Sequence, residues 1–211
     1  MGTITPVFNS NSIVKDLFTP VEKSSGNNPF PKIKIEGLYC FGGIDENGAR
    51  GKLSVMKIGQ GGGDPIFVVP KTKGEQPKPR FGHTSAFLPS RSFFVVVGGK
   101  NNEIDMLTEN LYINVLNLVN MEWIRVSTFG EKIPNLAFHS ATYTQDLIFI
   151  FGGIDKNNYR GNHIYVLDFN LKKIASKLTK DDKNMSMIGK KKNFFKQFLV
   201  GNRNKKAAFG D

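Results

Sequence analysis

The chain has 211 residues, 39% of them hydrophobic, which is enough apolar material for one substantial core. Its single cysteine, Cys40, excludes an internal disulfide, and no apolar stretch approaches the roughly 20 residues that a membrane-spanning helix needs. The net charge of +11 lies almost entirely in residues 172–206, which hold 12 Lys and Arg against two acidic residues.

The first 30 residues are polar, and residues 24–29 read Ser-Ser-Gly-Asn-Asn-Pro, a composition typical of a flexible arm. Segments with strand-like composition follow at 37–42, 53–58 and 65–69. They predict the later strands of a first β-sheet, for which no first strand is recognisable.

Three short apolar runs each end in a pair of glycines. The pairs are Gly42 and Gly43, Gly98 and Gly99, and Gly152 and Gly153. The second glycines are 56 and 54 residues apart, and a period of about 50 residues built from β-type segments is typical of a β-propeller. Residues 41–51 (FGGIDENGARG) and 151–161 (FGGIDKNNYRG) also match at eight of eleven positions.

Two further sheets are predicted around the second and third glycine pairs. Their strands are expected at 83–88, 92–98, 110–115 and 123–126, and at 139–144, 147–152, 162–168 and 173–178. The connections between successive sheets fall at 71–80 and 127–135.

The residues around the glycine pairs recur in a fixed order. A histidine followed by a hydroxyl residue precedes the second and third pairs, at His83 and His139, and tyrosines follow them at Tyr112 and Tyr165. Trp123 comes 11 residues after Tyr112. This order over about residues 35–178 resembles the kelch repeat.

The resemblance implies an all-β fold, a partial kelch-type β-propeller of about three four-stranded antiparallel blades. The blades are expected at about 31–70, 79–126 and 136–178, between a flexible arm at 1–30 and a basic tail at 179–211. Propellers typically close with four to eight blades, so further blades from a longer chain or another subunit are expected.

The glycine pairs, the two histidines, Tyr112, Trp123 and Tyr165 are interpreted as structural residues of the repeat. Because His83 and His139 recur at equivalent positions without further ligands nearby in the sequence, a structural hydrogen bond is expected of each, and no metal site. Cys40 is expected to be a buried, inert thiol. No catalytic residue and no cofactor is predicted.

The loops that follow the glycine pairs, at 44–52, 100–108 and 154–161, are expected to project on one face together with the connections between blades. The resemblance implies that protein partners bind there. The candidate partner-binding residues are Asn47, Arg50, Asn102, Glu103, Asn157, Tyr159 and Arg160. In the alternative interpretation, Asn47 and Asn157, with Asp45 and Asp155, only cap their own turns.

In the basic tail, Phe194, Phe195, Phe198 and Leu199 would share one side of a helix. Such a short basic amphipathic helix could bind an anionic membrane, a calmodulin-like protein or another acidic surface. The alternative is a solvated linker, and no nucleic-acid partner is expected.

These features together predict a non-enzymatic protein-interaction scaffold of the cytoplasm, in a cytoskeletal or ciliary assembly. Two alternatives remain open at the level of sequence. One is a fragment of a kelch-like oxidase or epimerase, and the other is a membrane- or calmodulin-binding protein that acts through its tail.

Overall fold

The computed structural model describes residues 3–7, 32–57, 64–101, 113–170 and 199–205. Within these residues the chain forms 13 β-strands in three sheets, one short 3-10 helix and no α-helix. The predicted class, an all-β partial propeller of three blades, is confirmed.

Blade one is a four-stranded antiparallel sheet. Its strands in spatial order are β1 (Thr3–Val7), β2 (Gly37–Asp45), β3 (Gly48–Lys57) and β4 (Ile66–Val68). The prediction of a flexible arm is wrong for Thr3–Val7, because this segment pairs with β2 along its whole length. Thr5 and Val7 are both buried, as expected for alternate residues that lie on the same face of a strand.

Blade two is formed by one continuous part of the chain. Its strands are β5 (Thr84–Leu88), β6 (Phe93–Val97), β7 (Ile113–Asn117) and β8 (Glu122–Arg125), in that spatial order and all antiparallel. The turn between β5 and β6 is the 3-10 helix Pro89–Arg91, in which the fixed φ of Pro89 favours a tight turn. Ser92 leaves the turn with a φ of +52°.

Blade three draws strands from distant parts of the chain. In spatial order they are β10 (Ser140–Thr144), β11 (Leu147–Phe151), β12 (Ile164–Asp168), β13 (Leu199–Lys205) and β9 (Ser127–Gly130). The predicted fourth strand at 173–178 lies outside the described residues, and β13 occupies the fourth place. β9 was expected to be part of a connection, but it pairs in parallel with β13.

The basic tail is therefore not wholly separate from the blades. Leu199 was predicted to lie in an amphipathic helix, and it begins strand β13 instead. The other residues of that predicted helix, Phe194, Phe195 and Phe198, lie outside the described part of the chain.

Strand β6 explains why continuous apolar runs occur in this sequence. All five of its residues are buried because blade two is covered on both faces. Phe94 and Val96 pack in one cluster with blade one, while Val95 and Val97 pack in a second cluster with blade three. A fully buried side chain of this size contributes about 1.5–3 kcal/mol relative to an exposed one, so the two clusters hold the three blades together.

The inner strands of the three blades are neighbours: β1 contacts β5, and β5 contacts β10. The chain thus alternates between two ends of the propeller, as hairpin connections require. The loops after the glycine pairs lie at one end, which we call the loop face, and the connections between blades run beside β8 and β13 before they return to this end at Arg80 and Leu136. The β5–β6 and β10–β11 turns lie at the other end.

Candidate functional site

The junction between blades one and two is closed by the second blade's histidine. The Nε2 atom of His83 lies 3.1 Å from the carbonyl oxygen of Phe41 and 2.9 Å from the hydroxyl of Thr3, both in blade one. Because a carbonyl can only accept, Nε2 carries the proton. The N–H of Gly43 donates to the carbonyl of Arg80 across the same junction at 2.9 Å.

The junction between blades two and three repeats this arrangement. His139 Nε2 lies 2.9 Å from the hydroxyl of Thr84, and the ring also bonds to the backbone of Leu136 and of Val97. The N–H of Gly99 donates to the carbonyl of Leu136 at 2.9 Å. The two histidines therefore each tie their blade to the preceding one, which is the geometry that a structural hydrogen bond requires.

Both histidines are held in the neutral form. Burial, reinforced by the nearby charge of Arg80, lowers the pKa of His83 to about 3, and burial lowers the pKa of His139 to about 4. A neutral ring can donate from one nitrogen to a backbone carbonyl without the cost of a buried charge.

All six residues of the glycine pairs have a positive φ. The close approach of the blades matters most at Gly42, where an added Cβ would lie 2.6 Å from the carbonyl oxygen of Arg80 and 2.8 Å from His83. Only a residue without a side chain fits between the two blades there.

The predicted aromatic repeat residues take different positions. Trp123 is buried between blades one and two, with its ring 5.8 Å from Phe41 and 6.5 Å from Phe94. Tyr165 is half-buried and packs at the edge of the second cluster, and Tyr112 lies outside the described residues.

On the loop face, the blade-one turn is held by its own side chains. The carboxylate of Asp45 accepts the N–H of Asn47 at 2.8 Å and pairs with the guanidinium of Arg50. Hydrogen bonding from Arg50 is the main cause that lowers the pKa of Asp45. Arg50 is thus already engaged within the turn.

The blade-three turn differs in what it leaves exposed. Asp155 accepts the N–H groups of Asn157 and Tyr159 at 2.8 and 3.0 Å, which caps the turn as the alternative interpretation expected of Asp155. The side chain of Tyr159 is 61% exposed. Within the described residues Arg160 makes no ion pair. Asn102 and Glu103 lie outside the described residues.

Sequence reasoning missed Phe138 as a candidate. This residue has a φ of +58°, and the equivalent position in blade two is Gly82, with a φ of +64°. Its ring is 51% exposed on the loop face, 6.0 Å from the ring of Phe81, and Lys100 lies over both rings at 5.6 and 5.4 Å. The signal was available in the repeat alignment, because a bulky residue replaces glycine immediately before His139.

The remaining reactive side chains have ordinary surroundings. Cys40 was expected to be buried, but it is half-buried, and burial raises the pKa of its thiol. His163 was expected within a strand and instead lies just before β12, with its ring 6.1 Å from that of Tyr165. In the described ranges no three His, Cys, Asp or Glu residues cluster in a way that could hold a metal ion. No helix in the described part of the chain is long and apolar enough to cross a membrane.

The blades, their glycine pairs and their histidine ties define a kelch-type propeller. Residues 33–206 match the family model described as the KLHDC2/KLHL20/DRC7 Kelch-repeats domain, and the chain belongs to the kelch-repeat family. Kelch-repeat relatives imply a protein-interaction domain, a role that is generally non-enzymatic.

Several curated proteins are similar to part of the chain. The Rab9 effector protein with kelch motifs from Mus musculus is 26% identical over 124 residues, which are 59% of this chain and 31% of that protein. Tip elongation aberrant protein 1 from Schizosaccharomyces pombe is 27% identical over 119 residues, 55% of this chain and 10% of that protein. Host cell factor from Drosophila melanogaster is 25% identical over 154 residues, which are 64% of this chain and 10% of that protein. The matched region thus spans a third or less of each of these relatives.

Among solved structures, a chain in the cryo-EM structure of RAG in complex with one melted RSS and one unmelted RSS has a TM-score of 0.54. It is 15% identical in sequence, and the match covers 79% of this chain and 46% of that one. This likeness shows the fold alone.

Proposed function

We propose that this protein is a non-enzymatic scaffold of the cytoplasm that binds a protein partner through the loop face. The binding surface is centred on Phe138 and Tyr159, with Arg160 beside Tyr159. Asn157 and the blade-one residues Asn47 and Arg50 lie on the same face, where they shape the turns. Asn102 and Glu103 belong to the loop between β6 and β7 and are proposed as further contacts.

The observation that supports this proposal is the strained backbone of Phe138. A non-glycine residue with positive φ costs about 1–2 kcal/mol, and glycine occupies the equivalent position in blade two. The fold therefore gains no backbone stability from an aromatic residue here. A large aromatic side chain on an ordered surface is a typical anchor for a protein partner.

Tyr159 is likewise a large exposed aromatic residue, but its φ is not positive. Its turn is fixed by backbone bonds to Asp155, so the ring is presented from an ordered loop and is not used by the fold. Exposed tyrosine and arginine are enriched at the centres of protein interfaces.

The cytoskeletal or ciliary setting is a finer part of the proposal. The name of the Schizosaccharomyces pombe relative, tip elongation aberrant protein 1, refers to tip elongation, which supports a cytoskeletal partner for this chain. The basic tail is proposed to meet an acidic surface or an anionic membrane, because it holds nearly all of the net charge.

Native co-purification followed by mass spectrometry tests the binding role. Phe138→Gly should remove the anchor while changing the free energy of unfolding by less than about 1 kcal/mol, because relief of strain offsets the lost ring contacts. Tyr159→Ala should weaken the same partner. Val119→Ala, an exposed apolar residue between β7 and β8 at the opposite end, is the matched control and should leave the partner unchanged. Full partner recovery with both loop-face variants would refute the proposal.

A further inference from the structure

We propose that the loop face of blade three holds a site for an alkylammonium group, the charged end of a lysine side chain on the protein partner. The walls of the site are the rings of Tyr159, His163 and Tyr165, and its negative charge comes from Asp155 and Glu131. The inference rests on the proposed function and deepens it by naming the chemistry that the partner offers.

Two of the three rings are neighbours at the start of β12. The imidazole of His163 and the phenol ring of Tyr165 have centroids 6.1 Å apart, with an angle of 35° between their planes. Both side chains are half-buried, so each keeps part of its surface open to solvent. Tyrosine rings attract a cation that lies within about 6 Å of the ring centre.

Gly161 leaves a gap between the rings of Tyr159 and His163. A Cβ built on Gly161 would lie 3.4 Å from Nδ1 of His163 and 3.6 Å from Cε1 of Tyr159, which is ordinary van der Waals distance for both. A methyl-sized group at this point would therefore touch both side chains without displacing either. Nδ1 of His163 accepts a hydrogen bond whenever it carries no proton, so an ammonium at this point has both an acceptor and a phenol ring beside it.

The turn of blade three fixes Tyr159 next to a carboxylate. The N–H of Tyr159 donates to Oδ1 of Asp155 at 3.0 Å, and the N–H of Asp155 donates to the carbonyl of Tyr159 at 3.1 Å. These two bonds hold the exposed ring and one negative charge together on an ordered loop.

The surroundings of Tyr165 are acidic. Burial, followed by the charges of Glu131, Tyr159 and Asp155, raises the pKa of its phenol. Among the described residues, the groups whose charges act on this phenol are thus all acids. A field that disfavours a further negative charge favours a cation at the same place.

Arg160 follows Tyr159 in the chain but does not cancel this field. It pairs with Ile154 in an antiparallel bridge, and successive side chains of an extended segment point to opposite sides. Its guanidinium is therefore expected on the side away from Tyr159, and it is not among the described groups that act on Tyr165. The site is thus locally acidic in a chain whose net charge is +11.

The size of the gap favours lysine over arginine as the occupant. The ammonium of lysine is a compact point charge on an unbranched stem, close in size to the methyl-sized space beside Gly161. A guanidinium is planar and wider, and it pairs best with a carboxylate that offers two free oxygens. One oxygen of Asp155 is already used by the turn.

NMR titration of the full chain with N-acetyl-lysine methylamide, at constant pH and ionic strength, tests this inference. The chain has three histidines, of which His83 and His139 are buried, so the ring protons of His163 are the reporter and are assigned by their loss in His163→Leu. They should shift with a Kd on the order of 10 mM. The matched neutral probe is the N-acetyl methylamide of 2-aminoheptanoic acid, in which a methyl group replaces the ammonium. It should bind about fivefold more weakly or less tightly still.

Three variants separate the contributions. Gly161→Ala fills the gap, and because Gly161 has no positive φ and the new Cβ meets its neighbours at ordinary distances, the melting temperature should not change. Its Kd for the lysine probe should rise about fivefold or more. Glu131→Gln removes one charge and should raise the Kd about two- to fivefold. Phe138→Gly lies outside the site and should leave the Kd unchanged.

Three results would overturn the inference. They are the absence of any shift at His163, equal Kd values for the two probes, and undiminished lysine binding in Gly161→Ala or Glu131→Gln. Each of them leaves the proposed function intact if Phe138→Gly still loses the native partner. Conversely, if the lysine probe binds while Phe138→Gly and Tyr159→Ala keep the partner in full, the proposed function fails and only the lysine site remains.

Discussion

His83 donates from Nε2 to the carbonyl of Phe41 across 3.1 Å, and this buried bond joins blade two to blade one. His83→Leu keeps much of the volume but leaves the buried carbonyl of Phe41 without its partner. Such an orphaned acceptor costs about 1–3 kcal/mol, and urea unfolding should show a loss of that size.

The control for this change is His163→Leu. The ring of His163 is half-buried beside Tyr165 and does not join two blades. Its replacement should alter the free energy of unfolding by less than about 0.5 kcal/mol. Equal losses of unfolding free energy in the two variants would show that the His83 bond between blades contributes no more than a residue that joins no blades.

The stability of the protein should fall as the pH drops from about 6.5 towards 4. Burial lowers the pKa of His83 to about 3 and that of His139 to about 4, while both rings titrate near 6.5 when unfolded. Below pH 6.5 the unfolded chain binds protons that the folded chain refuses, so the stabilisation is present above this pH and is lost below it. The loss approaches about 1.4 kcal/mol per pH unit for each histidine.

His139→Gln is the variant that isolates this effect. It removes one of the two titrating rings, so the slope of unfolding free energy against pH between 6 and 5 should fall by about half. An unchanged slope in equilibrium unfolding at several pH values would mean that other groups cause the acid sensitivity.

Gly42 and Gly152 provide a matched pair for the cost of crowding between blades. Both have a φ near +65°, so replacement by alanine imposes a similar backbone strain of about 1–2 kcal/mol at each. Gly42→Ala should lose about 1–3 kcal/mol more, because its Cβ lies 2.6 Å from the Arg80 carbonyl, whereas that of Gly152→Ala has no contact below 3.8 Å. Thermal unfolding of the two purified variants measures the difference, and equal melting temperatures would contradict the packing seen at this junction.

Asp146 ties blades two and three at the end opposite the loop face. Arg91 donates to its two oxygens at 3.0 and 3.1 Å, and Ser90 donates at 2.5 Å. Burial alone would raise the pKa of Asp146, but the hydrogen bonds from Arg91 and Ser90 outweigh it and lower the pKa. A double-mutant cycle with Arg91→Ala and Asp146→Asn should give a coupling energy of about 1–2 kcal/mol.

The Asp45 and Arg50 pair is the comparison for that cycle. Both side chains are more than two-fifths exposed, and water screens their attraction. The cycle with Asp45→Asn and Arg50→Ala should therefore give a clearly smaller coupling. A larger value than for Asp146 and Arg91 would contradict the assignment of Asp146 as the tie between blades.

Local sequence patterns were enough to predict the blades that are continuous in the chain. The glycine pairs follow the ends of β6 and β11 and mark a register shift within β2, and all six glycines have a positive φ, which favours glycine. The strands of blade two were predicted to within three residues at each end, since its apolar runs are buried on both faces.

Long-range pairing explains what the sequence did not reveal. Thr3–Val7 contains Pro6 and polar residues and is separated from β2 by residues 8–36, so only its partners make it a strand. Leu199–Lys205 is polar as well and follows β12 after a similarly long interval. Phe138 differs from these segments, because the replacement of glycine by a bulky residue before His139 is visible in the sequence, whereas its exposure is visible only in the folded chain.

The chain order of the strands has a consequence for how the protein folds. Blade two needs only hairpins between neighbouring segments, whereas blades one and three each close a long loop to recruit β1 and β13. Closing a long loop loses conformational entropy before the long-range contacts form. The middle sheet should therefore form first, and its two neighbours should then assemble on it.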